Sequence, residues 1–420
     1  MFSLFLANRF YRGDAATKQS ASSPAIRVAI AGVAVGVIVM LVTVSVVAGF
    51  KREVQQKVSG FMAHMEVLDV LTYATPEDHA IEYTPEMEKF FKNDPRIKHV
   101  QQTALKMGIL KTETDFSSLQ FKGYKSDFDS AFIRSCVTEG RLPNFASEES
   151  GNEILVSQTQ ADELKLKVGD RIFAYFFEET IKTRRFTICG IYSTHMSIFD
   201  KNFVLTDFAT ISHLNHWNDS TNLVRPVSSL ELNCGTADPD LLLNVQTDLL
   251  RFLKKSGNAE NGPTVVTVRE HFPQIFSWLG MLDFNSLVIL ILMICVAGVT
   301  MVSGLLVLIL ERTATIGILK ALGARNKALR HTFLWFAARI ILKGMVIGNA
   351  LAFTLLALQY HYHLIPLNPQ NYYVDCVPVE FVWLEFLLVN VGTLILTTLA
   401  LILPSFVVSR IQPAKAIKFD

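Results

Sequence analysis

The chain has 420 residues, of which 50% are hydrophobic and 18% are charged, and its formal net charge is +1 at pH 7. A nucleic-acid partner favours a strongly basic field, so this near-neutral composition argues against nucleic-acid binding. The apolar residues are concentrated in four long stretches, and this distribution indicates a membrane protein in contact with a lipid bilayer.

The N-terminal segment comes first in chain order. Residues 1–27 combine aromatic and basic side chains, a composition typical of a segment that lies in the headgroup plane. The uncharged stretch 28–50 follows and is long enough to cross a hydrocarbon core of about 30 Å as a helix. It is longer than the apolar core of a signal peptide, so we interpret it as a retained anchor, transmembrane helix 1.

The large polar insert, residues 51–283, is long enough to have a core of its own. Strands and helices alternate in it, for example a strand over Val100–Leu110 and helices over Gln158–Leu164 and Leu241–Lys254. This alternation predicts an α+β domain. At both ends of the insert apolar residues recur at helical spacing, so we expect the flanking membrane helices to continue beyond the bilayer as stalks.

Three further apolar stretches predict transmembrane helices 2, 3 and 4, over 284–310, 340–360 and 386–408. The first and last carry no charge. The middle stretch contains Lys343 and is preceded by Arg339. A long cationic side chain near one end of a span can reach the headgroups, so the two charges do not exclude a membrane helix.

Two pairs of glycines lie four residues apart within these stretches, Gly32 with Gly36 and Gly344 with Gly348. Small residues at this spacing allow two membrane helices to approach closely. We therefore expect close helix contacts at both pairs, and such pairs more often serve packing than function.

Among the short segments that flank the predicted spans, lysine and arginine occur in 1–27, 311–331 and 409–420 and are absent from 361–380. Cytoplasmic loops carry the excess of these residues in membrane proteins. Both termini and the segment 311–331 are therefore predicted to be cytoplasmic. The insert 51–283 and the loop 361–380 are predicted to face the opposite side.

Catalytic and metal-binding signatures are missing from the sequence. His213 with His216 and His361 with His363 lack a partner at a recognised ligand spacing, and there is no His-Glu-x-x-His motif. The sequence also contains no nucleophile elbow and no phosphate-binding loop. We therefore predict a non-catalytic chain without a metal or cofactor, so that any ATP and Mg²⁺ would be bound by a separate protein.

The segment Glu311–Ala324 contains the most specific pattern of the chain. It can form a short helix with Ile316, Leu319 and Leu322 on an apolar side and with Gly323 as its C-terminal stop. Such a helix could dock into a groove of a partner. From these residues alone, a solvated basic loop is the favoured interpretation, and the docking helix is the alternative.

The same segment resembles the coupling region of ABC transporter permeases of the FtsX/MacB superfamily. Other parts of the chain are similar to the lipoprotein-releasing LolC/LolE group of that superfamily. These parts are Gly32, Gly36, Val46–Lys51, Gly60, Phe61 and His64. Three further parts, Leu166–Asp170, Pro404 and Ile411–Ala416, resemble segments common in the superfamily as a whole.

The resemblance implies a membrane α-helical protein with four transmembrane helices and a large α+β, MacB-like periplasmic domain inserted between helices 1 and 2. It implies a multi-pass protein of the bacterial inner membrane that works with a LolD-like ATPase, which holds ATP and Mg²⁺, and with a second permease copy or a paralogue. The implied function is extraction of acylated lipoproteins from the membrane and their transfer to a LolA-like periplasmic carrier. An FtsX-like regulator of a cell-wall hydrolase is the alternative, and a receptor or anchored enzyme without an ATPase is a third possibility.

The resemblance also implies two groups of site residues. Contact with the ATPase is expected from Glu311, Arg312, Thr315, Ile316, Gly317, Leu319, Lys320, Leu322, Gly323 and Ala324. An apolar wall for the acyl chains of the lipoprotein is expected from Val42, Val46, Phe50, Leu282 and Leu287. The residues of the wall could equally be ordinary helix-packing residues.

Overall fold

The structure, a computed structural model, describes residues 24–74, 78–146, 150–177, 180–217, 225–255 and 262–407. Most of the predicted segment 1–27 and all of the predicted tail 409–420 therefore lie outside the described residues. The chain divides into two compact units. The helical unit comprises Met1–Lys51, Trp278–Pro366 and Cys376–Asp420, and the α+β unit comprises Arg52–Ser277 and Leu367–Asp375.

The described residues form fifteen helices and twelve strands. The helices are α1 (Pro24–Met62), α2 (Val70–Ala74), α3 (Pro85–Asn93), α4 (Ala131–Cys136), α5 (Gln158–Leu164), α6 (Ser197–Asp200), α7 (Phe208–Leu214), α8 (Pro239–Lys255), α9 (Val268–His271), α10 (Pro273–Glu311), α11 (Thr313–Ala321), α12 (Asn326–Tyr362), α13 (Pro369–Tyr372), α14 (Trp383–Ala400) and α15 (Ile402–Ser405). The strands are β1 (Met65–Asp69), β2 (Ile81–Tyr83), β3 (His99–Lys111), β4 (Phe116–Tyr124), β5 (Val137–Gly140), β6 (Glu153–Ser157), β7 (Arg171–Phe176), β8 (Lys182–Tyr192), β9 (Phe203–Asp207), β10 (Arg225–Val227), β11 (Ser229–Asn233) and β12 (Pro263–Thr267).

Four helices of the described chain, α1, α10, α12 and α14, are long and apolar enough to cross a membrane. The first three extend beyond the predicted spans, because a helix can continue past the bilayer. The predicted single helix over 386–408 is instead two helices, since α14 ends at Ala400 and the short α15 follows after Leu401. Pro404 lacks a backbone N–H and disfavours helical geometry in the residue before it, which is consistent with a break in this region.

The glycine pairs bring the membrane helices together as predicted. A Cβ atom at Gly32 would lie 2.6 Å from Thr300 Cγ2 of α10, so α1 approaches α10 closely there. A Cβ atom at Gly348 would lie 2.8 Å from the carbonyl oxygen of Ala34, so α12 approaches α1 closely. Both contacts need a residue without a side chain, and the expectation of close helix packing is confirmed.

The α+β unit is built on a ten-stranded mixed sheet in the order β12-β1-β11-β3-β4-β9-β6-β8-β5. Strand β7 pairs with both β3 and β8, so six strands close into a ring. The strand pairs β4–β9 and β6–β8 are parallel and the other pairs are antiparallel. Large buried side chains fill the core of this unit, among them Phe121, Phe176 and Phe186. The predicted α+β fold of this part of the chain is confirmed.

Several local predictions agree with these elements. The strand predicted over Val100–Leu110 is β3, and the helix predicted over Gln158–Leu164 is α5. Helix α5 begins with a capping box, in which the Ser157 hydroxyl accepts the Gln160 N–H and the Gln160 side chain accepts the Ser157 N–H. The helix predicted over Leu241–Lys254 is α8.

The end of α1 is anchored in the α+β unit by the sequence Gly60-Phe61-x-x-His64. The Phe61 ring is buried and stacks on Phe199 with ring centroids 4.4 Å apart. A Cβ atom at Gly60 would lie 2.6 Å from Cγ of Phe132, so only glycine fits. His64 is buried, and its backbone hydrogen-bonds to β11 and to the start of α9. These residues therefore have a packing role.

Candidate functional site

The segment that joins α10 to α12 contains a short helix, and not the solvated loop that the residues alone favoured. Helix α10 ends at Glu311, Arg312 leaves helical geometry with φ −105° and ψ 15°, and α11 then runs over Thr313–Ala321. The Thr313 hydroxyl donates to the carbonyl oxygens of Ile309 and Leu310, at 3.1 and 2.8 Å. This bond occupies carbonyl groups at the end of α10, where helices otherwise leave them unsatisfied.

Helix α11 ends in a Schellman motif. The N–H of Ala324 donates to the Leu319 carbonyl oxygen and the N–H of Gly323 donates to that of Lys320, both at 3.0 Å. Gly323 has φ +93°, a left-handed conformation that favours glycine. The prediction that Gly323 stops the helix is confirmed.

The buried face of α11 differs from the prediction at one residue. Ile316 is fully buried in the core of the helical unit, and Leu319 is half-buried against it. Leu322, however, is 79% exposed. The prediction that Leu322 shares this apolar side is wrong, because the helix has ended at Ala321 and the turn that follows directs this side chain outward.

Exposed residues of α11, together with the last residue of α10 and the first residue after α11, form a surface that we call the coupling stripe. It consists of Glu311, Ala314, Ile318, Ala321 and Leu322. Two of its side chains are large and apolar. These are Ile318, which is 51% exposed, and Leu322. An apolar stripe with a charged end suits a protein partner better than water.

The remaining residues predicted for ATPase contact surround the coupling stripe or lie beneath it. Gly317 is buried, while Arg312, Thr315, Lys320 and Ala324 are half-buried. Burial lowers the pKa of Lys320 from its ordinary value. The predicted set therefore divides into residues that hold the helix in place and residues that a partner can reach.

The predicted apolar wall is only partly brought together. On α1, Val42, Val46 and Phe50 are half-buried, and Phe50 meets Trp278 of α10 edge-to-face with ring centroids 6.4 Å apart. On α10, Leu282 is half-buried but Leu287 is 53% exposed on the outward face of the helix. Phe50 is thus the predicted wall residue with a direct aromatic contact to the partner helix.

An ion pair beside Phe50 was not anticipated from the sequence. The Lys51 ammonium donates to both carboxylate oxygens of Asp283, at 3.0 and 2.8 Å, and so links α1 to α10. The signal in the sequence was the presence of opposite charges at the two ends of the insert 51–283. A spacing of more than two hundred residues carries no periodicity, so pattern reasoning could not pair them.

Two protein families match this chain in sequence. The MacB-like periplasmic core domain family matches residues 28–240, just over half of the chain. The FtsX-like permease C-terminal family matches residues 287–413. The second match includes α11 and the coupling stripe, and the first includes most of the α+β unit.

Individual relatives are similar over nearly the whole length. The lipoprotein-releasing system transmembrane protein LolE of Haemophilus influenzae is 22% identical over 418 residues, covering 92% of both chains. The lipoprotein-releasing system transmembrane protein LolC of Xylella fastidiosa is 22% identical over 409 residues, covering 93% of both chains. Among solved structures, the periplasmic region of MacB from Actinobacillus actinomycetemcomitans matches with a TM-score of 0.32 and 12% identity, over 50% of this chain and 91% of that one.

Proposed function

Because the chain belongs to the FtsX/MacB superfamily of ABC transporter permeases, in its LolC/LolE group, we propose that it is the membrane subunit of a complex that extracts acylated lipoproteins. The lipoproteins leave the bacterial inner membrane for a periplasmic carrier of the LolA type. The observation that carries this proposal is the similarity to lipoprotein-releasing proteins over more than nine-tenths of each chain. The chain itself catalyses no reaction in this scheme.

The proposed topology places α1, α10, α12 and α14 across the membrane, with spans at 28–50, 284–310, 340–360 and Trp383–Ala400. The α+β unit then lies in the periplasm as an insert between the first and second spans. Both termini and the segment 311–331 lie in the cytoplasm. The distribution of lysine and arginine supports this orientation.

The coupling stripe is proposed as the surface that meets a LolD-like ATPase, which would hold ATP and Mg²⁺. Three features support this. The stripe lies within the FtsX-like match, it exposes Ile318 and Leu322, and the helix behind it is fixed to the core by Ile316. A displacement of α11 by the ATPase would therefore move α10 and α12, because α11 joins them directly.

Extraction of a lipid anchor requires both an energy source and an alternative apolar surface. Each methylene of an acyl chain that leaves the membrane costs about 0.8 kcal/mol. The half-buried residues Val42, Val46 and Phe50 of α1 are the proposed first surface for the acyl chains. The exposed apolar faces of α10 and α14 are proposed to meet lipid or a second permease, either a copy or a paralogue.

The contact with the ATPase is tested by substitution of its exposed residues. The chain is purified from its native membrane in detergent, and the bound proteins and acylated peptides are identified by mass spectrometry. The double variant Ile318→Asp with Leu322→Asp should lose the ATPase while its thermal unfolding is unchanged, because both side chains are exposed. A matched control is Leu243→Asp, which changes an exposed leucine of α8 in the α+β unit.

Retention of the ATPase by the double variant would contradict the proposed contact. Ile316→Asp is unsuitable for this test, because it buries a charge in the core and should unfold the helical unit. The transport function is tested separately by depletion of the protein from cells. Mature lipoproteins should then accumulate in the inner membrane, and normal lipoprotein sorting, with a cell-wall hydrolase bound to the purified chain, would contradict lipoprotein release.

A further inference from the structure

Two carboxylates lie side by side inside the α+β unit. Glu66 of β1 is directly opposite Glu231 of β11 in the antiparallel pairing. Both residues are buried. Like charges directly opposite each other in a sheet are destabilising, and buried charges require partners. The arrangement therefore raises the question of which cations neutralise the two groups.

One cation is present and belongs to Glu231. The Lys122 ammonium, buried on β4, donates to Glu231 Oε1, and the Gln101 amide donates to Oε2 at 2.5 Å. Lys122 also lies 3.2 Å from the sulfur of Met62, at the end of α1. Burial raises the pKa of Glu231, whereas Lys122 acts in the opposite direction. Both oxygens of Glu231 are thus occupied.

Glu66 is less completely satisfied. Its Oε1 accepts a hydrogen bond from the Ser229 hydroxyl at 2.5 Å. Its Oε2 lies 3.8 Å from Nδ1 of His271, beyond hydrogen-bond distance. The side chain of Glu66 is only 8% exposed. Glu66 borders open space, from which a ligand could donate a hydrogen bond to Oε2.

That space is a cavity of about 460 Å³ within the α+β unit. Its lining combines the charged groups with apolar and aromatic walls and consists of Met62, Glu66, Leu68, Thr72, Tyr73, Leu105, Gln120, Lys122, Phe203 and His271. The Tyr73 and His271 rings meet edge-to-face with centroids 6.3 Å apart. The size lies in the range of small-molecule sites, and the few polar groups set among apolar walls are typical of them.

We propose that this cavity binds a small organic ammonium ion, whose charged head is held by Glu66 beside the rings of Tyr73 and His271. Lys122 pairs with Glu231, whereas no lysine or arginine of the described residues forms an ion pair with Glu66, so a cationic ligand would supply that partner. Aromatic faces attract such a cation electrostatically. The apolar walls formed by Met62, Leu68 and Leu105 favour an alkyl chain on the ammonium over an inorganic ion.

The test uses the full chain in detergent and isothermal titration calorimetry. The probe is n-butylammonium chloride, and the comparison ligands are 1-butanol and sodium butyrate, which have the same chain with a neutral or an anionic head. One n-butylammonium should bind per chain, with both comparison ligands at least about tenfold weaker. Equal binding of 1-butanol, or no binding of n-butylammonium, would overturn the proposal.

Two variants locate the site. Glu66→Gln keeps the shape of the side chain but removes the charge and should weaken n-butylammonium binding about tenfold or more. Glu139→Gln, an exposed carboxylate of β5 in the same unit, is the matched control and should bind as the wild type does. Unchanged affinity in a folded Glu66→Gln variant would also overturn the proposal.

A third variant tests whether the cavity binds n-butylammonium if Glu66→Gln fails to fold. Tyr73 is 51% exposed, so Tyr73→Ala removes one aromatic wall without opening the core. This change should weaken n-butylammonium binding about threefold and leave the thermal unfolding of the chain unchanged. Unaltered n-butylammonium binding by Tyr73→Ala would show that the ion does not bind in this cavity.

Discussion

The Lys51 ammonium donates to both carboxylate oxygens of Asp283, and this contact links the first two long apolar helices, α1 and α10. The two side chains are 34% and 54% exposed, so the pair itself contributes about 0–1 kcal/mol to stability. The pair lies beside the contact between Phe50 and Trp278, which also joins α1 to α10.

The first prediction concerns the charges of this pair. Lys51→Asp places two carboxylates together and Asp283→Lys places two ammonium groups together, so each single variant should lower ATP-driven lipoprotein release in reconstituted membranes. The unfolding free energy should change by no more than about 1 kcal/mol. The double variant, which restores opposite charges, should recover release.

The control for the first prediction is another exposed ion pair, Arg141 with Glu153 in the α+β unit. Reversing either charge there should leave lipoprotein release unchanged. A double variant of Lys51 and Asp283 that is no better than the worse single variant would show that the ion pair does not position the helices.

The contrast between local and tertiary features explains how much the sequence could predict. Helices α5 and α8 were predictable because apolar periodicity and end signals agree within each segment. Strand β9 was not predicted because it is buried throughout, and a short buried strand shows no alternation of polar and apolar residues. Strand β4 was not predicted either. Leu322 was misplaced because helical spacing was extended past the point where the Schellman motif ends α11.

The candidate sites show the same limit. The coupling segment was found because its residues are contiguous and carry a family pattern. The pairing of Lys51 with Asp283 and that of Lys122 with Glu231 join residues more than a hundred positions apart. Such contacts depend on strand order and helix packing, which no local pattern in one sequence specifies.

The second prediction compares two helical glycines. Gly348→Ala adds a Cβ atom 2.8 Å from the Ala34 carbonyl oxygen, so α12 and α1 must separate and the helical unit should lose about 1–3 kcal/mol of stability. Gly392→Ala in α14 adds a methyl group with nothing within 4 Å. This control should be neutral or should stabilise the helix by up to about 1 kcal/mol. Thermal unfolding in detergent measures both, and equal midpoints would contradict close packing at Gly348.

The third prediction concerns a reciprocal amide pair between α12 and α14. The Asn349 amide donates to the Asn390 oxygen at 2.7 Å, and the Asn390 amide donates to the Asn349 oxygen at 3.0 Å. Replacing one partner by leucine leaves the other side chain with only its bond to a carbonyl of its own helix, so each single variant should be less stable than the wild type. Replacing both should cost less than the sum of the single losses, with a coupling energy of about 0.6–1.7 kcal/mol.

A double-mutant cycle of unfolding free energies in detergent measures this coupling. Asn371→Leu changes an exposed asparagine outside α12 and α14 and serves as the control, which should show no coupling to Asn390→Leu. Strictly additive losses at positions 349 and 390 would mean that the two amides contribute independently.

The fourth prediction is a pH dependence that originates in the α+β unit. Burial lowers the pKa of His64 to about 4, against an ordinary value of 6.5, while burial raises the pKa of Asp78 to about 6. As pH falls below about 6.5 the unfolded chain takes up a proton on His64 before the folded chain does. The free energy of unfolding is therefore not reduced by His64 above pH 6.5, and protonation of His64 in the unfolded chain lowers it by up to about 3 kcal/mol as the pH falls toward 4.

Asp78 has the opposite sign, since the folded chain binds its proton first and becomes more stable as pH falls from 6 toward 4. Wild-type stability alone would thus mix the two effects, and the comparison must be made with His64→Gln. Denaturant unfolding followed by circular dichroism between pH 7.5 and 4 should show the advantage of the wild type over His64→Gln shrinking as pH falls. The control is His331→Gln, which replaces an exposed histidine of α12. Its curve of unfolding free energy against pH should be parallel to that of the wild type. Parallel curves for His64→Gln as well would show that His64 is protonated equally in the folded and unfolded chains.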